Sequence, residues 1–210
     1  MNHQETIAAW RRMDFKKGAA EGCVELWAHT DTGYRKRTQA NAQCGATMAT
    51  AADYSTGGER LTKQMAGDQY IPLPFYLDAD EAGRRLAEFM ASKRAASLNI
   101  AGNGIYTLEA KGWSQEGANE WLILCLATAH AIRPIGRIQS GGQTGIDWSG
   151  AVCAHRLGIP ALILFPQGFK QRGADGVDKE RDPTELMAQI RIESAKLGMN
   201  SPHEPKKPKP

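Results

Sequence analysis

From Leu98 onward the apolar positions come in two alternating spacings. Leu98-Asn99-Ile100-Ala101, Ile135–Gln139 and Ala161–Phe165 are short apolar runs that read as strands. Gln115–Ala131, Thr144–Leu157 and Asp182–Leu197 repeat their apolar residues at helical spacing, and Pro183 and Thr184 open the last of these as a helix start. Upstream, Asp78 caps an amphipathic helix with Ala82, Leu86, Phe89 and Met90 inward and Arg84, Arg85, Lys93 and Arg94 outward. Strands apolar on both faces, alternating with helices, predict an α/β fold with a mainly parallel sheet covered by helices on both faces.

The first part of the chain is less regular. Thr6 opens a short helix with Ile7, Trp10 and Met13 on one face, extended by Phe15 and ended by Gly18. Gly22–His29 stays open between strand and helix, since Val24, Leu26 and Ala28 alternate while Trp27 breaks the pattern. The alanine-rich run Arg35–Ala52 reads as helix, with Arg35-Lys36-Arg37 as a solvated end. Residues 1–52 are therefore expected to be a mostly helical N-terminal extension, residues 53–198 the ligand-binding domain, and residues 199–210 a disordered basic and proline-rich tail. Within the domain, Glu59–Met65 reads as helix and Gly67-Asp68 as a turn. Tyr70–Tyr76, with two prolines, reads as an edge strand or connector.

With 210 residues, 41% of them hydrophobic, the chain can bury one substantial core. Its 26 basic and 23 acidic residues give +3, and part of that surplus lies in Lys206-Lys207-Pro208-Lys209. The near-neutral body gives no support for a broad nucleic-acid surface, so nucleic acid is not an expected partner. The four cysteines form no CxxC pair and the five histidines are scattered, so neither a metal site nor a cofactor is expected. No apolar run reaches membrane-spanning length and the opening residues are polar, which points to a soluble, cytoplasmic protein whose oligomeric state, a homo-oligomer included, stays open.

The candidate chemistry lies in three loops. Gly102-Asn103-Gly104, Ser140-Gly141-Gly142 and Pro166-Gln167-Gly168 each follow an expected strand, and parallel strands would gather them at one sheet edge, where open α/β folds bind ligands. In Ser140-Gly141-Gly142-Gln143-Thr144-Gly145-Ile146-Asp147 the glycines allow a turn against a phosphate, and the next helix would offer its first N–H groups. Ser140, Gln143, Thr144 and Asp147 add hydrogen-bonding side chains, and Lys170 and Arg172, after Gly168, would reach a second anionic group. The dinucleotide fingerprint fails because Gly102-Asn103-Gly104-Ile105-Tyr106-Thr107 lacks a third glycine, and no lysine follows Gly142 as a P-loop requires. Tyr106 and Trp113 are candidates for stacking on a base, and Glu109 and Glu116 are reserve acids. A faint echo of the glycine turn in Ser55-Thr56-Gly57-Gly58 is more simply a helix cap, because no strongly apolar strand precedes it.

The octet Ser140–Asp147, followed by Leu157-Gly158-Ile159-Pro160, an apolar strand and Pro166-Gln167-Gly168-Phe169, resembles the Rossmann-like SLOG superfamily, in particular its molybdenum-cofactor-carrier and YpsA-like branches. The likeness covers Leu98 to Gly176, and only the octet is specific. It implies a Rossmann-like fold that binds nucleotides or nucleotide-derived ligands such as ADP-ribose or NAD, with the glycine turn on a phosphate, and permits a role as sensor or sequestering protein. A more distant likeness is to the cytokinin-activating phosphoribohydrolases, with Pro-Gly-Gly-x-Gly-Thr-x-x-Glu. Here Ser140 replaces the proline, Thr144-Gly145 reverses the following pair, and Trp148 falls at the glutamate. N-glycosidic hydrolysis, with Asp147 as a base toward water or a glutamate supplying the catalytic carboxylate, is therefore the alternative, and single-strand DNA binding of the DNA-processing type the third.

Overall fold

The strands β1 (Phe15–Glu21), β2 (Val24–His29), β3 (Ala46–Thr50), β4 (Tyr70–Pro72), β5 (Ser97–Gly102), β6 (Arg137–Ser140) and β7 (Ala161–Phe165) form one sheet. Their order is β1-β2-β7-β6-β5-β3-β4, parallel throughout except for the antiparallel β1–β2 pair. This computed structural model describes residues 3–12 and 14–198; Met13 of the expected N-terminal stripe and the tail 199–210 lie outside them. The helices are α1 (His3–Arg12), α2 (Tyr34–Asn41), α3 (Gly57–Ala66), α4 (Ala79–Ser92), α5 (Ile105–Ala110), α6 (Gln115–Ile132), α7 (Ile146–Leu157) and α8 (Pro183–Lys196). A small hairpin, β8 (Gln171–Arg172) and β9 (Asp178–Lys179), follows β7.

Alternation along β7 shows why the sheet is covered on both sides. Ala161, Ile163 and Phe165 join the main core with side chains of α4, α6, α7 and α8, while Leu162 and Leu164 join Phe15, Trp27, Ala40 and Ile7 in a second cluster. A strand enclosed on both faces has no polar side, which is why β7 reads as an unbroken apolar run. Asp78 caps α4 as expected, accepting from the N–H groups of Asp80 and Glu81, and Asp182 caps α8 in the same way. Tyr70–Pro72 is an edge strand, the place where prolines are tolerated. Among the described residues no helix is long and apolar enough to cross a membrane, and the four cysteines are unpaired.

The N-terminal reading needs correction. Residues 1–52 are not a helical extension, because they supply β1, β2 and β3 to the same sheet. Ala46-Thr47-Met48-Ala49-Thr50 is fully buried between β4 and β5; alanine's helix preference gives way to the need for small side chains inside a covered sheet. Gly18, expected to end a helix, lies within β1, where a Cβ would stand 2.1 Å from Cζ of Phe169. Gly22–His29 resolves as β2, with Trp27 on the second cluster's side.

One topological feature places the site. In the sheet β2 and β3 are separated by β7, β6 and β5, so the β2–β3 connection passes across three strands. The helix α2 opens that connection from the carboxyl end of β2, and it brings Arg37 onto the glycine turn after β6.

Candidate functional site

Because β5, β6 and β7 are adjacent and parallel, the three glycine loops meet at their carboxyl ends. They are laced together. Gly104 and Gly145 form a backbone bridge, Ile105 N–H donates to Thr144 O (3.1 Å) and Ile146 N–H to Asn103 O (3.1 Å). From the third loop, Gln171 donates to Gly142 O (2.8 Å), and Arg172 N–H donates to Gln143 Oε1 (2.7 Å). Thr144 Oγ1 donates to Arg172 O, and Gln143 Nε2 donates to the Tyr34 hydroxyl (2.9 Å).

The anion geometry differs from the simple helix-terminus expectation. Two of the N–H groups around the start of α7 are occupied, Gly145 by Gln115 Oε1 (2.6 Å) and Ile146 by Asn103 O. The N–H groups of Gly142, Gln143 and Thr144 make no hydrogen bond among the described residues. The donors on offer are thus those of the turn itself, a concave backbone arrangement suited to anions. Gly142 takes φ +66°, and a Cβ there would meet the Phe165 ring at 2.4 Å, so this position admits only glycine.

Asp147 lies in the first turn of α7 but is buried. It is 8% exposed and stands 3.3 Å from Nη2 of Arg37, whose Nη1 donates to Gly141 O at 2.6 Å. A Cβ at Gly141 would lie 2.1 Å from Asp147 Oδ2 and 2.7 Å from Arg37 Cζ, so the bare backbone is what lets the turn close over this pair. Burial pushes the Asp147 carboxyl up to about 6, with the Arg37 charge and a Gly102 N–H pulling the other way. Glu59, in the first turn of α3, is a second buried carboxyl, 3% exposed, whose Oε2 has no partner. Burial first, then the Asp147 charge, push it up to about 7. The Arg37–Asp147 pair thus lies directly under the glycine turn, and Glu59 is near enough to feel the Asp147 charge.

This pairing has a consequence for stability. A carboxyl whose folded value is raised contributes fully below its unfolded value, 4.5 for Glu59, and that contribution is lost as pH rises toward about 7. Glu59→Gln is therefore expected to be more stable than the parent at pH 8 by about 3 kcal/mol, and no more stable at pH 4.5. Urea denaturation at the two pH values checks it; an equal difference at both would mean that the Glu59 charge costs nothing.

Arg37 and Glu59 escaped the sequence reading. Arg35 and Lys36 of the basic triplet are exposed, as expected, but Arg37 is 8% exposed. The available signal is the stripe: Arg37, Ala40 and Asn41 on α2, and Glu59, Thr62 and Ala66 on α3, share one buried face each. The Ser55–Gly58 echo also gains meaning, since Thr56 does cap α3 and a strand, β3, does precede it and run parallel to β5.

Other expected residues are placed differently. Asn103 is buried and spans two loops, accepting from Ala52 and Asp53 N–H (2.9 and 2.8 Å) and donating to Asp53 O (3.0 Å). Ser140 Oγ bonds Ile100 O and Asp147 O (both 2.8 Å) beneath the turn. Gly102 closes against Thr50 O, leaving 2.0 Å for a Cβ, whereas Gly104 is open. Gly168 turns with φ +71° beside Glu180. Arg172 is engaged by Asp178 (2.9 and 3.1 Å) and Lys170 stands 3.8 Å from Glu180, so both cations are held within the third loop's own ion pairs. Trp113 stacks on Phe75 at 4.0 Å, while Tyr106, Glu109 and Glu116 are exposed. No family model matches this chain, and no curated protein or solved structure matches it.

Proposed function

We propose that this chain binds a phosphorylated nucleotide or nucleotide-derived ligand, of the ADP-ribose or NAD type, at the carboxyl edge of its sheet, as a cytoplasmic sensor or sequestering protein of the SLOG type. The observation that carries the reading is the convergence, within one corner, of a glycine turn offering backbone donors and the buried Arg37–Asp147 pair. The Gly142–Thr144 N–H groups take a phosphate, Arg37 supplies the nearby positive charge, and Asp147 accepts from a ribose hydroxyl.

A second reading, N-glycosidic cleavage, is favoured by one specific observation: two buried carboxyls, Asp147 and Glu59, both on helix first turns, with Arg37 beside Asp147. The Arg37 charge favours the anionic form of Asp147 and makes it the base, which leaves Glu59 as the acid. As the C1′–N bond breaks, the Glu59 carboxyl gives its proton to the departing base nitrogen. The oxygen of water bonds C1′, and the water's proton passes to Asp147. From a nucleoside monophosphate the products are free base and ribose 5-phosphate.

Incubation with nucleoside monophosphates and with NAD, followed by chromatography and calorimetry, separates the readings. Binding without release of base supports the first. Release of base, reduced roughly 100-fold or more in Asp147→Asn and Glu59→Gln, establishes the second. Absence of binding to every nucleotide tested rejects both.

A further inference from the structure

We propose that the amino edge of the sheet, opposite the glycine loops, holds a second binding site, for a small molecule bearing two or more oxyanion groups, carboxylate or phosphate. The adjacent parallel strands β2, β7, β6, β5 and β3, which gather the loops at one edge, gather their own starts at the other. A cleft of about 750 Å³ opens there. It is lined by Cys23 before β2, Gly45 before β3, Arg94 before β5, Arg137 at the start of β6 and Pro160 before β7. Its volume suits a small molecule. No residue of the three glycine loops lines it, so this site stands apart from the function proposed above.

Arg137 carries the argument. It is 7% exposed, yet no carboxylate pairs with it among the described residues. A guanidinium does not give up its proton on burial, so such a charge stays costly until an anion reaches it. Its Nη2 donates to Gln139 Oε1 (3.3 Å) and its Nε is sealed without a partner, but Nη1 bonds nothing among the described residues and is not sealed. The guanidinium thus keeps a donor for the cleft it borders, and its fork matches an oxyanion. Arg94 offers the second contact. It is exposed, has no ion-pair partner among the described residues, and follows α4 with φ 51°, a left-handed position that helices usually give to glycine or asparagine. Lys93 adds positive charge at the mouth, shared with the exposed Asp68 (3.3 Å). The one acid in the lining, Glu25, is already engaged by Lys17 (3.2 Å) and by Trp27 Nε1 (3.0 Å). Positive charge therefore prevails in the cleft, which selects an anion over a metal ion.

Calorimetry in low-chloride buffer with citrate and with pyrophosphate tests the site, the two probes separating carboxylate from phosphate ligands. At least one is expected to bind, and Arg137→Gln and Arg94→Gly should each weaken that binding roughly tenfold or more. Glycine accepts φ 51° freely, so Arg94→Gly should melt no lower than the parent and keeps the test alive should Arg137→Gln fail to fold. Binding of neither anion would overturn the proposal. So would a folded variant of either arginine that binds as tightly as the parent, since the anion would then sit elsewhere.

Discussion

Replacing Arg37 with alanine should destabilise the protein by an amount that grows with pH, reaching about 4 kcal/mol at pH 8. Among the described residues Arg37 is the only ion-pair partner of Asp147, a carboxyl 8% exposed, and breaking such a pair strands a buried charge. The sign follows from linkage. With Arg37 present, the folded value of Asp147 is already raised from 3.8 to about 6, so its unfavourable contribution levels off above pH 6. Without Arg37 the carboxyl stays protonated to higher pH, and stability continues to fall by roughly 1.4 kcal/mol per pH unit. Below pH 6 what remains is the lost hydrogen bond to Gly141 O and the contact with the Tyr34 ring, about 1 kcal/mol. Denaturant titrations from pH 5 to 8.5 measure the difference, and Arg37→Ala/Asp147→Asn should lose its pH-dependent part. A constant offset across that range would mean that the pair is not electrostatically coupled.

Gly145→Ala should cost about 3–5 kcal/mol, which for a chain of this size lowers the melting temperature by roughly 10 °C. Gly145 has φ 96° and ψ −139°, a region essentially closed to side chains, and a Cβ would stand 2.4 Å from Asn103 O and 2.8 Å from Gly104 Cα. The atoms in the way are backbone, so no rotamer relieves the clash. Gln115, which grips both the N–H and the C=O of Gly145, would lose its two-point hold as the loops part. Gly104→Ala is the control: its nearest contact would be 3.6 Å away and φ is −68°, so its cost should stay below about 1 kcal/mol. Equal melting temperatures for the two variants would show that the first and second loops are not held by this close approach.

What the sequence revealed and what it hid divide along physical lines. The strands β5 to β7, with α4, α6, α7 and α8, announce themselves because each buries a continuous or helically spaced apolar set. The strand β3 does not, because Ala46-Thr47-Met48-Ala49-Thr50 is small rather than strongly apolar, and its burial comes from neighbours more than fifty residues away in β5. The glycine turn was legible from its spacing, as were its neighbours Gly102–Gly104 and Gly168. The charged half of the site was not. Arg37 follows two exposed basic residues, and Glu59 sits three residues after a threonine cap, so each imitates a common solvated position. Only the routes of the chain reveal that α2, on the long β2–β3 connection, and α3, between β3 and β4, turn these residues inward, and such routes are set by tertiary packing.

That connection also governs the order in which the molecule can be assembled. The strand β2 is complete at His29, yet its inner neighbour β7 ends at Phe165, so on a ribosome the first hairpin waits for most of the chain before its open edge is covered. During that interval Trp27 and Leu26 lie on a ribbon of two strands, too small to persist alone. Termination before β7 would leave this edge without a partner, so fragments ending early should associate with one another, and closure of the sheet centre and completion of the Arg37 site become one late event.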